Sequence, residues 1–452
     1  MTEPWRLSLA EGLRRTREGA LTSAEWVRSL LGRIDACEER VKAWAHVDGA
    51  GALAGAEAAD SARASGPPRP LDGAPVGLKD IIDVAGMPCE AGSSLYAGRA
   101  AETDASCAAR LRAAGALILG KTVTTAFATA DPSVTRNPWN LARSPGGSSS
   151  GSAAAVAAGM VPGAVGSQTG GSTLRPAAFC GVVGLKPSYG RISRGGVVAV
   201  SWTLDTLGVI ARSAEDAAHL LTGAAGGDAR DDASSDLPVP DYAAASSPRP
   251  PGRVCFLRED FEARASVEVA EAIARAAARL REAGAQVEEG RLPADFDQLH
   301  AAHRIIQRAE LAAYHEEMFR AREGEYPPLL RNNVATGLMV PAPHYIRALR
   351  LNARFAREMA RLFERFEFVL MSPQVETAPP AEESTGNALF LEPLTMAGAP
   401  AITLPLRRGE GNLPLGVQLG AARFREAPLL AFSRWCEAEL GWRAEIAEPP
   451  PA

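Results

Sequence analysis

The sequence predicts an α/β fold in which the chain leaves a core sheet and later rejoins it. Three observations carry that prediction. Short apolar runs bounded by glycine and proline, such as Ala74 to Leu78, Ala116 to Leu119 and Val182 to Leu185, alternate with helical stretches such as Asp104 to Ala114 and Ser152 to Ala158. A long charged helical region, residues 297–367, then interrupts the pattern. Strand character returns at Phe368 to Met371, Ala401 to Pro405 and Leu415 to Leu419.

Residues up to about Ser65 read as helices. Thr22-Ser23-Ala24-Glu25 is a capping box for a helix through Leu31, and the alanine-rich stretch Ala50 to Ala64 favours another by propensity. Gly66-Pro67-Pro68-Arg69-Pro70 breaks it, and the α/β texture begins there. A second break, Gly223 to Pro251, is rich in Asp, Ser and Pro and is expected to be a surface connection. Beyond it, Arg253 to Leu257 is strand-like and Val267 to Ala283 is a helix closed by Gly284. No internal repeat is present. The chain thus divides into an N-terminal helical segment (1–65), a core (66–222), a connection (223–252), a strand and helices ending in a capping region (253–367), and a return to the sheet (368–452).

Composition excludes some functions. The 452 residues are 46% hydrophobic and 22% charged, ordinary for a soluble globular enzyme. A net charge of −5, with no basic stripe read against it, predicts no nucleic-acid partner. No apolar run approaches the roughly 18 residues of a membrane span, and MTEPWRLSLAEGLRR lacks the hydrophobic centre of a signal peptide. The six cysteines are scattered without a CxxC pair, which fits neither a zinc site nor a disulfide framework. Reduced, mostly buried thiols in a cytoplasmic protein are expected.

Two apparent motifs dissolve in context. GALILGKT, Gly115 to Thr122, matches the phosphate-loop pattern, but its variable residues Ala-Leu-Ile-Leu are themselves a strand. Gly115 fits better as the residue closing the preceding helix. His300 and His303 stand at helical i,i+3 spacing without a third ligand at a familiar offset, so a solvated helix face is expected there.

The richest stretch is PGGSSSGSAAAVAAGMVPGAVGSQTGGSTLRPAAFCG, Pro145 to Gly181, with two Gly-Gly-Ser clusters and no histidine. A flexible Gly/Ser loop is one reading. The other is a buried turn whose consecutive amides at Thr169-Gly170-Gly171 form a nest for an oxyanion. Serine needs a base to become a nucleophile. With histidine absent, lysine is the next candidate, provided an apolar setting favours its free amine. Lys79, at the end of the apolar run in GAPVGLKDIIDVAG, has that setting. The competing reading is a surface Lys79–Asp80 pair.

Together these elements resemble the amidase signature family. LDGAPVGLKDIIDVAGMP matches its lysine motif at Lys79, SPGGSSSGSAAAVAAG its first serine motif at Ser148, and GSQTGGSTLRPAAFCG its second at Ser172. LDTLGVIARSAEDA and MAGAPAITLP are further matches. The resemblance implies one large domain with a central mixed twisted sheet, helices on both faces and a helical region covering one end. It implies that Ser172 attacks an amide carbonyl, passing its proton through Ser148 to neutral Lys79. Thr169, Gly170 and Gly171, together with the Ser172 amide, would form the oxyanion hole, Gly147-Ser148 would be a cis peptide, and Ser149 would support the network. The chemistry calls for no metal or organic cofactor.

The substrate expectation rests on a departure. Many members have Asp four residues before the nucleophile and Arg two after it; here Gln168 and Leu174 occupy those places, with Arg175 next. That pattern resembles the malonamidase branch, and it predicts a small carboxylate-bearing, malonamate-like amide bound by Arg175 and Gln168. The alternatives are a glutaminase (A-type) subunit of a tRNA-dependent amidotransferase, a hydrolase of urea-type amides of the allophanate or carboxybiuret kind, and a catalytically silent scaffold. A small-molecule amide partner without nucleic acid or membrane is expected. The oligomeric state is left open, a homodimer among the options.

Overall fold

The computed structural model describes residues 3–63, 66–67 and 69–450. Ala64, Ser65 and Pro68, at the first expected break, lie outside the described residues. Eleven strands build one mixed sheet: β1 (Trp44–Val47), β2 (Pro75–Lys79), β3 (Leu117–Thr122), β4 (Gly163–Gln168), β5 (Val183–Lys186), β6 (Thr206–Ala211), β7 (Arg253–Leu257), β8 (Gln286–Gly290), β9 (Phe368–Met371), β10 (Ala401–Arg408) and β11 (Pro414–Ala421). Their spatial order is β1-β3-β2-β4-β6-β5-β10-β11-β9-β7-β8. The chain does leave the sheet after β8 and return at β9, as its texture predicted. Strand β2 runs parallel to both β3 and β4, whereas β4 and β6 are antiparallel. The C-terminal ends of β2 and β4 and the start of β6 therefore meet along one edge.

The central strands are buried on both faces, which is why they read as short apolar or small-residue runs rather than alternating ones. The edges differ. Strand β8 exposes Gln286, Glu288 and Glu289, and β1 has four residues; neither carries a strong strand signal. The helix Ser150–Ala157 is buried at every residue. Its small side chains allow that: a Cβ on Gly151 would lie 2.2 Å from the Ala43 carbonyl oxygen.

The N-terminal capping box is formed as expected, but the helix it starts runs Ser23–Val41, past Leu31. Gly115 has φ +95° and follows the helix Ser106–Ala113, so GALILGKT is a helix stop and a strand, not a phosphate loop. The connection over 223–251 is more than surface. Tyr242 is buried and its hydroxyl accepts from Arg191 Nε at 2.5 Å, while Asp231 pairs with Arg194 at 2.8 Å. All six cysteines are free and buried. No helix among the described residues is long and apolar enough to cross a membrane.

Three helices, Phe296–Arg322, Pro328–Leu338 and Ala342–Arg365, form the cap. Leu299, Ala302 and Ile306 of the first and Phe355 and Met359 of the third share an apolar cluster with Leu391 and Leu394, near the sheet edge just described.

Candidate active site

Lys79 is the last residue of β2, and its side chain is fully buried. Its Nζ lies 2.6 Å from Ser148 Oγ and 2.8 Å from Ser167 Oγ. Burial lowers its pKa from 10.5 to about 7; Asp205 opposes the shift and the positive charge of Arg175 adds to it. Near neutrality much of this group is therefore an uncharged amine, with two N–H donors and one lone pair. The alternative of a surface Lys79–Asp80 pair does not hold, because Asp80 pairs instead with buried Lys121 at 3.0 Å.

The backbone brings the two serine clusters to this amine. The Gly147–Ser148 peptide is cis. Ser149, at the start of the Ser150–Ala157 helix, ties the two clusters to the end of β4. Its N–H donates to the Ser172 carbonyl at 3.2 Å, its Oγ accepts from Ser167 N at 3.2 Å, and the same hydroxyl reaches Ser167 O at 3.3 Å. Ser172 itself is only half-buried. No hydrogen bond joins the Ser148 and Ser172 hydroxyls among the described residues; such contacts tighten when substrate binds.

From 169 to 172 the carbonyls are held and the amides are left open. The Thr169 oxygen meets His303 Nε2 at 3.0 Å, Gly170 O accepts from Thr395 Oγ1 at 2.9 Å, Gly171 O from Arg175 N at 2.8 Å, and Ser172 O from Ser149 N. Among the described residues nothing accepts from the N–H groups of Gly170, Gly171 or Ser172. Peptide planes with fixed oxygens aim their N–H groups the opposite way, which leaves three adjacent donors for an anion. The glycines are required by close packing: a Cβ at Gly171 would sit 2.5 Å from Leu391 Cδ1.

Gln168 and Arg175 have other partners. Gln168 Oε1 accepts from the N–H groups of Thr173 (3.1 Å) and Leu174 (3.0 Å), capping the helix Leu174–Cys180, and Nε2 donates to Thr395 Oγ1 at 3.0 Å. Arg175 donates to Gly147 O from Nε (3.2 Å) and Nη2 (2.6 Å), to Thr385 Oγ1 from Nη2 (3.2 Å) and to Gly386 O from Nη1 (2.6 Å). Both side chains thus bind the protein, and the guanidinium holds the loop that carries Ser148.

Several participants were not anticipated. Ser167 became visible only through strand register, because Leu78 pairs with Val165 and so sets Ser167 just beyond Lys79. Asp205 accepts from Thr169 Oγ1 at 2.5 Å and from the N–H groups of Val200 (2.8 Å) and Ser201 (3.0 Å); desolvation raises its pKa. Buried Glu310 of the first cap helix accepts from Ser201 Oγ, from Thr203 N at 3.0 Å and from Tyr345 OH at 2.6 Å, which ties the cap to the same loop. A cavity of about 280 Å³ opens beside Ser167 and Asp205, lined also by Ile81, Arg194, Val200 and Thr206. The two histidines do not form the solvated face expected. His303 is 2% exposed against the Thr169 carbonyl, and both rings turn toward Glu392.

The charge reading also needs correction. Arg347, Arg350, Arg354, Arg357, Arg361 and Arg365 recur at three- and four-residue spacing along the helix Ala342–Arg365, and all are exposed. Only Arg361 has an acidic partner among the described residues, Glu358 at 2.7 Å. The net charge of the whole chain concealed a basic stripe about 27 Å long.

The Amidase family model matches residues 25–430, so the chain belongs to that family. The chain is 37% identical to the A-type subunit of glutamyl-tRNA(Gln) amidotransferase from Roseiflexus castenholzii, over 99% of each chain. It is also 37% identical to the corresponding protein of Moorella thermoacetica, over 91% and 92%. Among solved structures it is similar to the peptide amidase of Stenotrophomonas maltophilia (30% identity, TM-score 0.87, 98% and 99% covered) and to a protein described as bearing on the origins of an s-triazine catabolic enzyme within a vestigial protein complex (29%, 0.90, 98% and 100%). The A-type glutamyl-tRNA(Gln) amidotransferase protein of Thermotoga maritima is a further neighbour (27%, TM-score 0.83, 100% and 99%). The chain is therefore an amidohydrolase acting on amide C–N bonds.

The relatives overturn the malonamate-like reading and, with it, the expectation of no nucleic-acid partner. The physical reason lies in the geometry above. A carboxylated substrate was inferred from Gln168 and Arg175, and both side chains are occupied by the chain itself.

Proposed function

We propose that this chain releases ammonia from glutamine as the A-type subunit of a tRNA-dependent amidotransferase. The observation that carries the reading is end-to-end similarity to the A-type glutamyl-tRNA(Gln) amidotransferase proteins, joined to a buried amine 2.6 Å from the Ser148 hydroxyl. Ser172 Oγ attacks the side-chain amide carbon while its proton moves to Ser148 Oγ, whose own proton moves to the Lys79 lone pair. The amide oxygen, now an anion, is met by the N–H groups of Gly170, Gly171 and Ser172, with Thr169 holding the loop through Asp205. Lys79 returns the proton through Ser148 to the nitrogen, the C–N bond breaks, and ammonia leaves a glutamyl ester on Ser172. Water, deprotonated by the same relay, cleaves the ester to glutamate.

Ser167 supports the relay by accepting one amine N–H, which turns the lone pair toward Ser148. The arginine stripe on the cap offers a face for an anionic partner such as the RNA-bearing assembly. The test is ammonia release from glutamine by the purified chain, alone and with the other subunits of its amidotransferase. Stimulation by those subunits supports the reading; release that ignores them, or none in their presence, defeats it. A second reading, a urea-type amidohydrolase, is favoured by the s-triazine-related neighbour at TM-score 0.90. Turnover of such amides without turnover of glutamine would establish it instead.

A further inference from the structure

From the geometry around Thr169 we infer that His303 is a positioning residue for the oxyanion loop, setting the Thr169–Gly170 peptide so that the Gly170 N–H faces the substrate oxygen. The inference rests on the assignment of Ser172 as nucleophile made above. It begins with a proton. A carbonyl oxygen only accepts, so the 3.0 Å contact between His303 Nε2 and Thr169 O fixes Nε2 as the protonated nitrogen. The other nitrogen, Nδ1, is buried without a hydrogen-bond partner, its nearest acid being Glu392 Oε1 at 3.5 Å. Glu392 is instead engaged by His300 Nδ1 at 2.7 Å.

The imidazole also lies over the glycine that follows Thr169. Its Cε1 would lie 3.2 Å from a Cβ at Gly170, so the ring occupies the side on which any other residue would carry its side chain. Because the peptide is planar, an oxygen pinned toward the cap sends the Gly170 N–H toward the side where Ser172 is accessible. Without that donor the buried Thr169 oxygen loses its partner, and a flip of the peptide that removes one N–H from the hole becomes favourable. A side chain on the cap helix thereby reaches the reaction centre without touching substrate. The contact joins residues 134 apart in the chain, so it is also where assembly against the cap would be felt at the site.

The test uses the full chain and a fluorophosphonate probe, whose attack by Ser172 develops the same oxyanion. Labelling of wild type, His303→Leu, His303→Asn and His303→Gln is followed with and without Ser172→Ala as the control for site. His303→Leu and His303→Asn are expected to lower the maximal labelling rate by about 10- to 100-fold with the half-saturating probe concentration changed by less than about twofold. His303→Gln, whose amide N–H can reach the same carbonyl, is expected to recover to within about threefold of wild type. Thermal melts identify a variant that fails to fold, and the Asn–Gln contrast then decides. An unchanged maximal rate in His303→Asn, a Gln variant as slow as Asn, or a change confined to half-saturation overturns the inference, as does a wild type that does not label at Ser172. A wild type that labels there yet releases no ammonia from glutamine even with the other subunits present defeats the proposed function while this test still stands.

Discussion

The segment from Pro145 to Arg175 and the cap helix Ala342–Arg365 show opposite ways of using polar groups. In the first segment, glycines, one arginine and every serine but the half-buried Ser172 are enclosed, and the carbonyls from Thr169 to Ser172 all have donors, so each group has one geometry. On the cap helix, six arginines stand in water at regular spacing, five of them with no acidic partner among the described residues. Burial makes polar groups precise because an unmade bond there is costly. Exposure leaves them adaptable and weakly coupled to the fold. The comparison teaches that burial fixes the geometry of polar groups in the first region, whereas exposure leaves those of the cap helix free to take other partners.

The sharpest way to break that division is to remove the nucleophile. Ser172→Ala is expected to lower amide turnover by about 10⁴-fold or more with an unchanged melting temperature. Turnover near wild type would transfer the chemistry to another group.

Next comes the amine. Lys79 is depressed from 10.5 to about 7 by burial, so it is protonated and without a lone pair below that pH. Turnover is expected to fall about tenfold for each pH unit below about 7 and to level above it. Stability shifts in the same direction for a separate reason. Between about 7 and 10.5 the unfolded chain keeps a proton on this lysine that the folded chain lacks, so this group makes the protein more stable as pH rises through that window. Lys79→Met should abolish turnover and reduce that rise in denaturant titrations, the remainder coming from Lys186, which burial likewise lowers to about 7; a rise that persists unchanged assigns it to other groups.

Smaller effects test how the core is braced. Ser167→Ala is expected to slow turnover about tenfold and to move the acidic limb to lower pH, because an acceptor that stabilises the ammonium is gone. A limb that moves upward would contradict the hydrogen bond as described. Arg175→Ala should cost about 1–3 kcal/mol of stability by stranding the Gly147 and Gly386 carbonyls, and should reduce turnover of neutral and carboxylated amides alike. A loss restricted to carboxylated amides would return the arginine to the substrate.

The smallest effect on chemistry should come from the cap. Replacing Arg350, Arg354 and Arg357 together by glutamate is expected to leave fluorophosphonate labelling of Ser172 within about twofold of wild type. Binding to the anionic partner should weaken sharply and lose most of its salt dependence. An equal loss of labelling and binding would erase the distinction between the two regions.

Local sequence determined a good deal by itself. The capping box at Thr22, the helix stop at Gly115, the strand ending in Lys79 and the α/β alternation depend on neighbours a few residues apart, and backbone propensity acts over that range. The family motifs likewise brought Lys79, Ser148 and Ser172 to attention as one group. Tertiary structure decided the rest. Ser167 meets Lys79 because of a strand register, and His303 meets Thr169 across 134 residues of chain. The partners of Arg175 and Gln168 within the protein, the Gly386 carbonyl and the Thr395 hydroxyl among them, come from positions more than 200 residues away. The arginine stripe was written in the sequence at helical spacing, but only the fold shows which face of that helix is left to water. Spacing along a chain records what a residue can do; which partner reaches it first is settled by packing.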